Sequence, residues 1–391
     1  MRQPRFENRS TAVPTTALGM RFAMAILATL LCLVVLPPQA QAQENSAPEV
    51  SKATREEKLD VVWNAVDGTI RPGYAAFADA AEETRGAMDD LCSLPNGENV
   101  QGAREAFAEL VRSWSRIEFI QFGPVMDDNR GSRILFFPDR RSIGLKQVQA
   151  ILADKDESAT SPDELAGKSV AVQGLGALEY VLYGTGAETL STRDGNFRCR
   201  FGAAIGGNLE RLGRAISDDW AKDEGGIVER LTNPNEDDPA YRSADDSLKE
   251  IVGVFINGFE AIRDLRLNPA MGENEKSAKP KLFLFHRSEL TLASLQANFA
   301  GMKDLFTSSD MATLLPPAHA YLKDSIAFEF ENAEMALDKL SPPLTKVVAS
   351  KADRQNLTYL LIVTDSLQSQ FAGQLSPLLG LSAGFSALDG D

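Results

Sequence analysis

At 391 residues the chain is long enough for two or three domains with a sizeable core, and its 43% apolar content is ordinary for a water-soluble protein. A formal charge of −15 argues against nucleic acid or anionic lipid as a partner, because neutralising phosphates requires a surplus of lysine and arginine. With only two histidines, the chain is also poorly supplied for a zinc hydrolase, which needs two or three His or acid ligands around an activated water.

Residues 1–42 read as a signal peptide. Phe22 to Leu36 is an apolar run too short for a comfortable membrane span, preceded by Arg21 and followed by Pro37-Pro38 and the Ala40-Gln-Ala42 cleavage pattern. Met20 is an alternative start. Leu31 occupies the place before Cys32 where lipidation wants a small residue, so a lipoprotein is disfavoured. The expectation is a periplasmic or otherwise exported protein beginning near Gln43 and soluble after cleavage.

The remainder reads as all-α, in two four-helix bundles packed side by side. The first, residues 54–221, opens with a capping box in which Thr54 pairs with Glu57. Its first helix runs to about Thr69, is kinked or broken at Pro72-Gly73, and resumes to about Cys92. A second helix covers about Val100 to Gln121. An irregular stretch follows, with a short helix near Leu145–Leu152, and Ser161-Pro-Asp-Glu164 offers another cap. Two helices complete this bundle, one over Val170–Gly184 and one from about Phe197 to Trp220. Residues 222–243 are acidic and turn-rich, and read as a connector. The second bundle, 244–391, carries helices at about Ala244–Leu267, Glu289–Phe306, Pro317–Leu340 and Asp353–Leu375. Cys92 and Cys199 fall at predicted helix ends, where a disulfide is feasible; the alternative is two buried thiols.

Within Val170–Gly184, Ala171, Leu175, Leu178 and Leu182 form an apolar stripe, and Val172, Gly176, Glu179 and Tyr183 form the stripe beside it. Gly174 and Gly176 both lie inside the pattern, each costing about 1 kcal/mol against alanine in a helix interior. The spacing therefore implies that something packs where the glycines leave room: either another helix or a ligand, with Glu179 as the pocket's acid. A second candidate region is Phe122 to Lys146, where Arg130, Arg133, Arg140, Arg141 and Lys146 gather around Phe136-Phe137-Pro138. Forked donors mixed with apolar surface suit a carboxylate- or phosphate-bearing organic ligand. Arg116 and Glu118 are expected to pair locally, and Trp114 reads as core. His319 reads as a capping or surface residue, and His286 sits at the mouth of a second-bundle helix.

These stretches resemble the imelysin-like family of bacterial envelope proteins, in its branch of predicted periplasmic lipoproteins. That family carries a G-x-H-x-x-E signature, matched here by Gly174, Gly176 and Glu179, with glycine in place of the histidine. Further matching stretches are Ile70-Arg-Pro-Gly-Tyr74, Trp114-Ser-Arg-Ile-Glu118, Phe122-Gly-Pro-Val125, Arg133-Ile-Leu-Phe-Phe-Pro-Asp-Arg-Arg141, Phe197-Arg-Cys199, His286-Arg-Ser-Glu-Leu290 and the terminal Ala383–Asp391. The resemblance implies two similar four-helix bundles with a site at their interface, and a role in iron uptake rather than proteolysis, although members were once classed as metallopeptidases.

The leading expectation is an exported, non-catalytic protein linked to iron acquisition, binding a ligand through Glu179, Gly176, Arg133, Asp139 and Arg287. The ligand is expected to be a small organic anion or metal chelate, with iron or an iron-bearing organic anion as cofactor candidates and Glu179 as the one conceivable metal ligand. A helical interaction protein with an envelope partner is the alternative, and a metallopeptidase the third choice, disfavoured by Gly176.

Overall fold

The computed structural model describes residues 50–381; the expected signal peptide and the terminal Ala383–Asp391 motif lie outside them. Every regular element among the described residues is helical, and none is long and apolar enough to cross a membrane. The described residues form one compact unit.

Helix α1 (Arg55–Ala65) begins at the expected capping box: the Thr54 hydroxyl accepts the Glu57 N–H, and the Glu57 carboxylate accepts the Thr54 N–H. Of the kink or break expected at Pro72-Gly73, the chain shows a local distortion and no break. A widened π turn, Val66–Ile70, carries the axis directly into α2 (Arg71–Ser93), with Pro72 in the first turn. An α-helical turn there would press the proline ring against the carbonyl four residues back, and the wider turn relieves that clash. Helix α3 (Gly97–Ser115) starts at Asn96, whose side chain accepts the Asn99 N–H, and ends a turn and a half before Gln121.

The region after it is less irregular than its composition implies. It folds into α4 (Arg130–Ile134), α5 (Ile143–Asp154) and α6 (Pro162–Ala166), with short 3₁₀ turns between them. Next come α7 (Leu175–Tyr183) and the long α8 (Asn196–Ala221). Residues 222–243 are not purely a connector either: α9 (Ile227–Thr232) buries Val228 and Leu231 and packs on α1, α8 and α10 (Ala244–Glu260). A second π turn, Ala261–Leu267, leads into α11 (Asn268–Met271). The rest comprises α12 (Thr291–Ser309), α13 (Tyr321–Asp338), α14 (Leu344–Val347) and α15 (Arg354–Ser369), the last extended by a third π turn, Gln370–Leu375.

Packing follows the apolar faces. Helix α2 lies between α3 and α8, burying Phe77 against Trp114 and Tyr74 against Trp220. Farther along the chain, Phe255 stacks on Phe371 at 4.2 Å, with Phe259, Phe306 and Phe330 around them. Both groups belong to one continuous buried core, and α1 and α3 join them by packing on α12. The Cys92–Cys199 disulfide ties the end of α2 to the start of α8, with Cα atoms 5.5 Å apart.

Arg116 and Glu118 do not pair with each other. Arg116 reaches Asp304, and the buried Glu118 carboxylate meets Arg266 on the second π turn. Arg266 also donates to Ser294 and Asn298, and Asn298 donates to Glu118 and to the Ser115 carbonyl. Pairing these two residues, only two apart in the chain, would have left the Arg266 guanidinium buried without a counter-charge, a costlier arrangement than the long-range pair.

Candidate functional site

Helix α7 begins later than its periodicity implies. Val170–Val172 is a 3₁₀ turn, and Gly174 is the N-cap, so neither counts as helix interior. The two glycines answer different demands. A Cβ on Gly174 would lie 2.3 Å from the Ile134 carbonyl oxygen and 2.5 Å from that of Arg133, so backbone approach fixes this position. A Cβ on Gly176 would meet nothing within 4 Å, because this residue faces a cavity of about 430 Å³.

Three segments build that cavity. Gly174, Gly176, Ala177, Glu179 and Tyr180 of α7 form the floor. One wall consists of Phe136 to Arg140 and the start of α5. Asp139 positions that start, its carboxylate accepting the Ile143 N–H at 2.7 Å and the Leu145 N–H at 3.2 Å. The other wall carries Leu265 and Pro269 from the second π turn and α11, followed by the turn Lys281 to Arg287. The surfaces are largely apolar and aromatic, with Phe136, Phe137, Tyr180, Phe283 and Phe285 among them.

Glu179 is 3% exposed. Its Oε1 accepts the Arg287 N–H and the Ser288 N–H, each at 3.0 Å, and the Ser288 hydroxyl at 2.9 Å; its Oε2 lies 3.8 Å from the Arg287 guanidinium. Burial raises its pKa above the ordinary carboxylate value, outweighing the opposing influence of Ser288 and Arg287. The Arg287 guanidinium lies over the Tyr180 ring, 5.4 Å from its centroid. His286 Nδ1 is 3.1 Å from the Phe283 carbonyl, and burial together with the nearby Arg287 and Lys281 charges pulls its pKa down to about 4, so the ring is neutral at pH 7.

Of the residues singled out in the sequence, Glu179, Gly176, Asp139 and Arg287 therefore meet at one cavity. Arg133 does not line it. Its guanidinium donates to Gln173 at 3.0 Å and Asn208 at 3.4 Å, behind the 3₁₀ turn that precedes α7. Arg130 likewise turns away and pairs with Asp219 at 2.8 Å. Arg140 remains at the cavity, joined by Lys281, and neither has a carboxylate partner among the described residues. Sequence reasoning missed Lys281, Tyr180 and Ser288, whose spacing carries no periodic signal. Ser288 lies within the matching His286–Leu290 stretch, but nothing there marks it as a partner of Glu179.

The lining does not fit a resident metal ion. The Asp139 oxygens are occupied by backbone N–H groups, Glu179 Oε1 already accepts three donors, and His286 stands among cations. No group of three or more His, Cys, Asp or Glu residues suited to a metal occurs among the described residues. A protein scaffold for iron would supply several such ligands together.

Comparisons with known proteins agree with this architecture. The chain is 21% identical over 319 residues to "Iron-regulated protein A" of Synechococcus elongatus, an alignment covering 78% of this chain and 83% of that one. An imelysin-like protein of Psychrobacter arcticum superposes with a TM-score of 0.73 at 17% identity, covering 86% of this chain and 99% of the other. An iron-regulated protein A precursor of Parabacteroides distasonis does so with a TM-score of 0.70 at 12% identity, covering 85% and 98%. The family model described as Imelysin matches residues 70–371. On that match, which spans most of the chain, the protein belongs to the imelysin family.

Proposed function

We propose that this protein is an exported, non-catalytic binding protein that holds a small organic anion, free or as a metal chelate, in the cavity between α5, α7 and the 281–287 turn. One observation carries the reading. Arg140, Lys281 and Arg287 line an apolar cavity whose two acids already accept backbone N–H groups, which leaves a net positive site on a protein of charge −15. Guanidinium and ammonium donors above aromatic walls suit carboxylates and repel bare cations. The names of the Synechococcus and Parabacteroides relatives support a link to iron, and the word "precursor" in the latter supports export.

Calorimetry on the purified protein with citrate, ferric citrate, haem and bare ferric and ferrous salts tests it. The anions should bind and the bare ions should not. Arg287→Ala and Arg140→Ala should each weaken anion binding roughly ten- to hundredfold, as expected from losing a charged hydrogen bond worth about 1.5–3 kcal/mol. Tight binding of a bare ion, lost in Glu179→Ala and unchanged in Arg140→Ala, would mean that the ligand's charge has been assigned with the wrong sign.

A second reading, an interaction protein with an envelope partner, draws on α13. Tyr321, Phe328 and Met335 recur every seven residues on its surface and are 58%, 58% and 49% exposed, a stripe able to seat a partner helix. Substituting all three with serine should abolish a cross-link to such a partner while leaving ligand binding intact.

A further inference from the structure

Glu179 borders the cavity, yet one of its two carboxylate oxygens is already fully engaged. All three hydrogen bonds at its Oε1 come from Arg287 and Ser288, more than a hundred residues along the chain. The segment they belong to is unusual. Phe285 and Glu289 both adopt left-handed backbone conformations, with φ of +59° and +61°, although neither is a glycine. Such conformations persist in bulky residues only where the surroundings impose them. Bonds within the segment supply part of that constraint: the Leu290 N–H donates to the Phe285 carbonyl at 3.1 Å, and the Thr291 hydroxyl to the Leu284 carbonyl at 2.7 Å. They leave the Arg287 and Ser288 N–H groups unanswered, and Glu179 accepts both. Without that carboxylate, two half-buried donors would lack partners inside a strained turn.

We propose that Glu179 is a positioning residue, clasping the 283–290 turn so that Arg287 and His286 are held against the cavity, rather than a direct ligand of whatever the cavity binds. The inference rests on the reading of the cavity as an anion site, since it assigns Glu179 a role in setting the cation that reads the anion. It separates two functions that a buried acid in a pocket would otherwise be assumed to combine. Glu179 acts on the turn, and Arg287 acts on the ligand.

Chemistry distinguishes the roles. A glutamine can still present a carbonyl oxygen to the Arg287 and Ser288 N–H groups, but it carries no charge; an alanine can do neither. The test compares Glu179→Gln, Glu179→Ala and the milder Ser288→Ala by amide hydrogen exchange across the whole protein. Binding of 8-anilinonaphthalene-1-sulfonate, a fluorescent aromatic anion, is measured alongside. A clasp predicts exchange at the 285–290 amides about tenfold faster or more in Glu179→Ala, within about threefold of wild type in Glu179→Gln, and unchanged in the α2–α8 core. Probe binding should follow the same order, with Glu179→Gln close to wild type.

Equal loss of probe binding in the Gln and Ala variants, with exchange in the turn unchanged, would overturn the proposal and make Glu179 a direct ligand. Uniformly faster exchange throughout Glu179→Ala would also overturn it, by making the residue a general stability element. Should the probe fail to bind wild-type protein, the anion-site reading falls. The exchange comparison still decides the clasp, and Ser288→Ala keeps it decidable if Glu179→Ala does not fold.

Discussion

Gly174 packs so closely on Ile134 that a Cβ there would stand 2.3 Å from the Ile134 carbonyl oxygen, whereas two residues on, a Cβ at Gly176 would enter open space. Two glycines that look equivalent in the sequence should therefore respond oppositely to alanine. Gly174→Ala forces backbone apart, and overpacking of this kind costs about 1–3 kcal/mol. Gly176→Ala is expected to be neutral or stabilising by up to about 1 kcal/mol, since alanine is the better helix former. Denaturant midpoints of the two variants check the contrast. Gly176→Trp should fold as well as wild type and lose binding of cavity ligands, which calorimetry would register.

Arginines in the same stretch should divide just as sharply. Arg140→Ala removes a cation from the cavity and is expected to reduce anion affinity, with a shallower dependence on salt. Arg133→Ala leaves the cavity lining intact, so binding should stay within about threefold of wild type, while the lost bond to Gln173 lowers stability by about 1–2 kcal/mol. Isothermal titration at two ionic strengths, paired with thermal melts, separates the two effects.

His286 provides a pH signature. Its folded pKa of about 4 lies below the unfolded value, so between about pH 6.5 and 4 the unfolded chain binds more protons. Stability must then fall as pH drops through that window. Glu179 works in the opposite sense: with its folded pKa raised, it favours the folded state as pH falls towards the ordinary carboxylate range. His286→Asn should flatten the loss of stability below pH 6.5, as read from the denaturation midpoint at each pH. An unchanged pH profile would show that the imidazole is not the group responsible.

Strain in the 283–290 turn can be relieved without touching its contacts. Glu289 is exposed and sits at φ +61°, in the region where L-residues pay roughly 1–2 kcal/mol and glycine pays none. Glu289→Gly should raise stability by up to about 1 kcal/mol after allowing for glycine's freer unfolded chain. A lower melting temperature in that variant would mean that the exposed carboxylate contributes more than the backbone conformation costs.

What could be read from the sequence divides along a physical line. Helices announce themselves locally, through caps such as Thr54 with Glu57 and through apolar faces such as that of α8, so the all-α fold was legible. The π turn before Pro72 was not, because a slip in the apolar stripe beside a proline reads equally well as a kink or a break. Pairings across great sequence distance leave no spacing to detect. Glu118 finds Arg266 and Glu179 finds Ser288 only once the chain has folded, and Arg133, the most suggestive arginine in its stretch, turned to Gln173 and Asn208. The site was thus partly legible: its two acids, its open glycine and its two arginines stood out, whereas Lys281, Tyr180 and the backbone donors to Glu179 did not.

The 108 residues separating Glu179 from the N–H of Arg287 also set a timetable. During synthesis the floor of the cavity leaves the ribosome about 5–20 s before the turn that roofs it, at the usual 5–20 residues per second. Through that interval Gly176, Ala177 and Tyr180 of α7 border a groove with no opposite wall, the kind of apolar surface on which incomplete chains aggregate. A carboxylate beside the open groove is hydrated at that stage and costs nothing to ionise, and Arg287 and Ser288 take the place of its water only once they arrive. The acid that is a burden to bury in the finished protein is therefore no burden in the incomplete one.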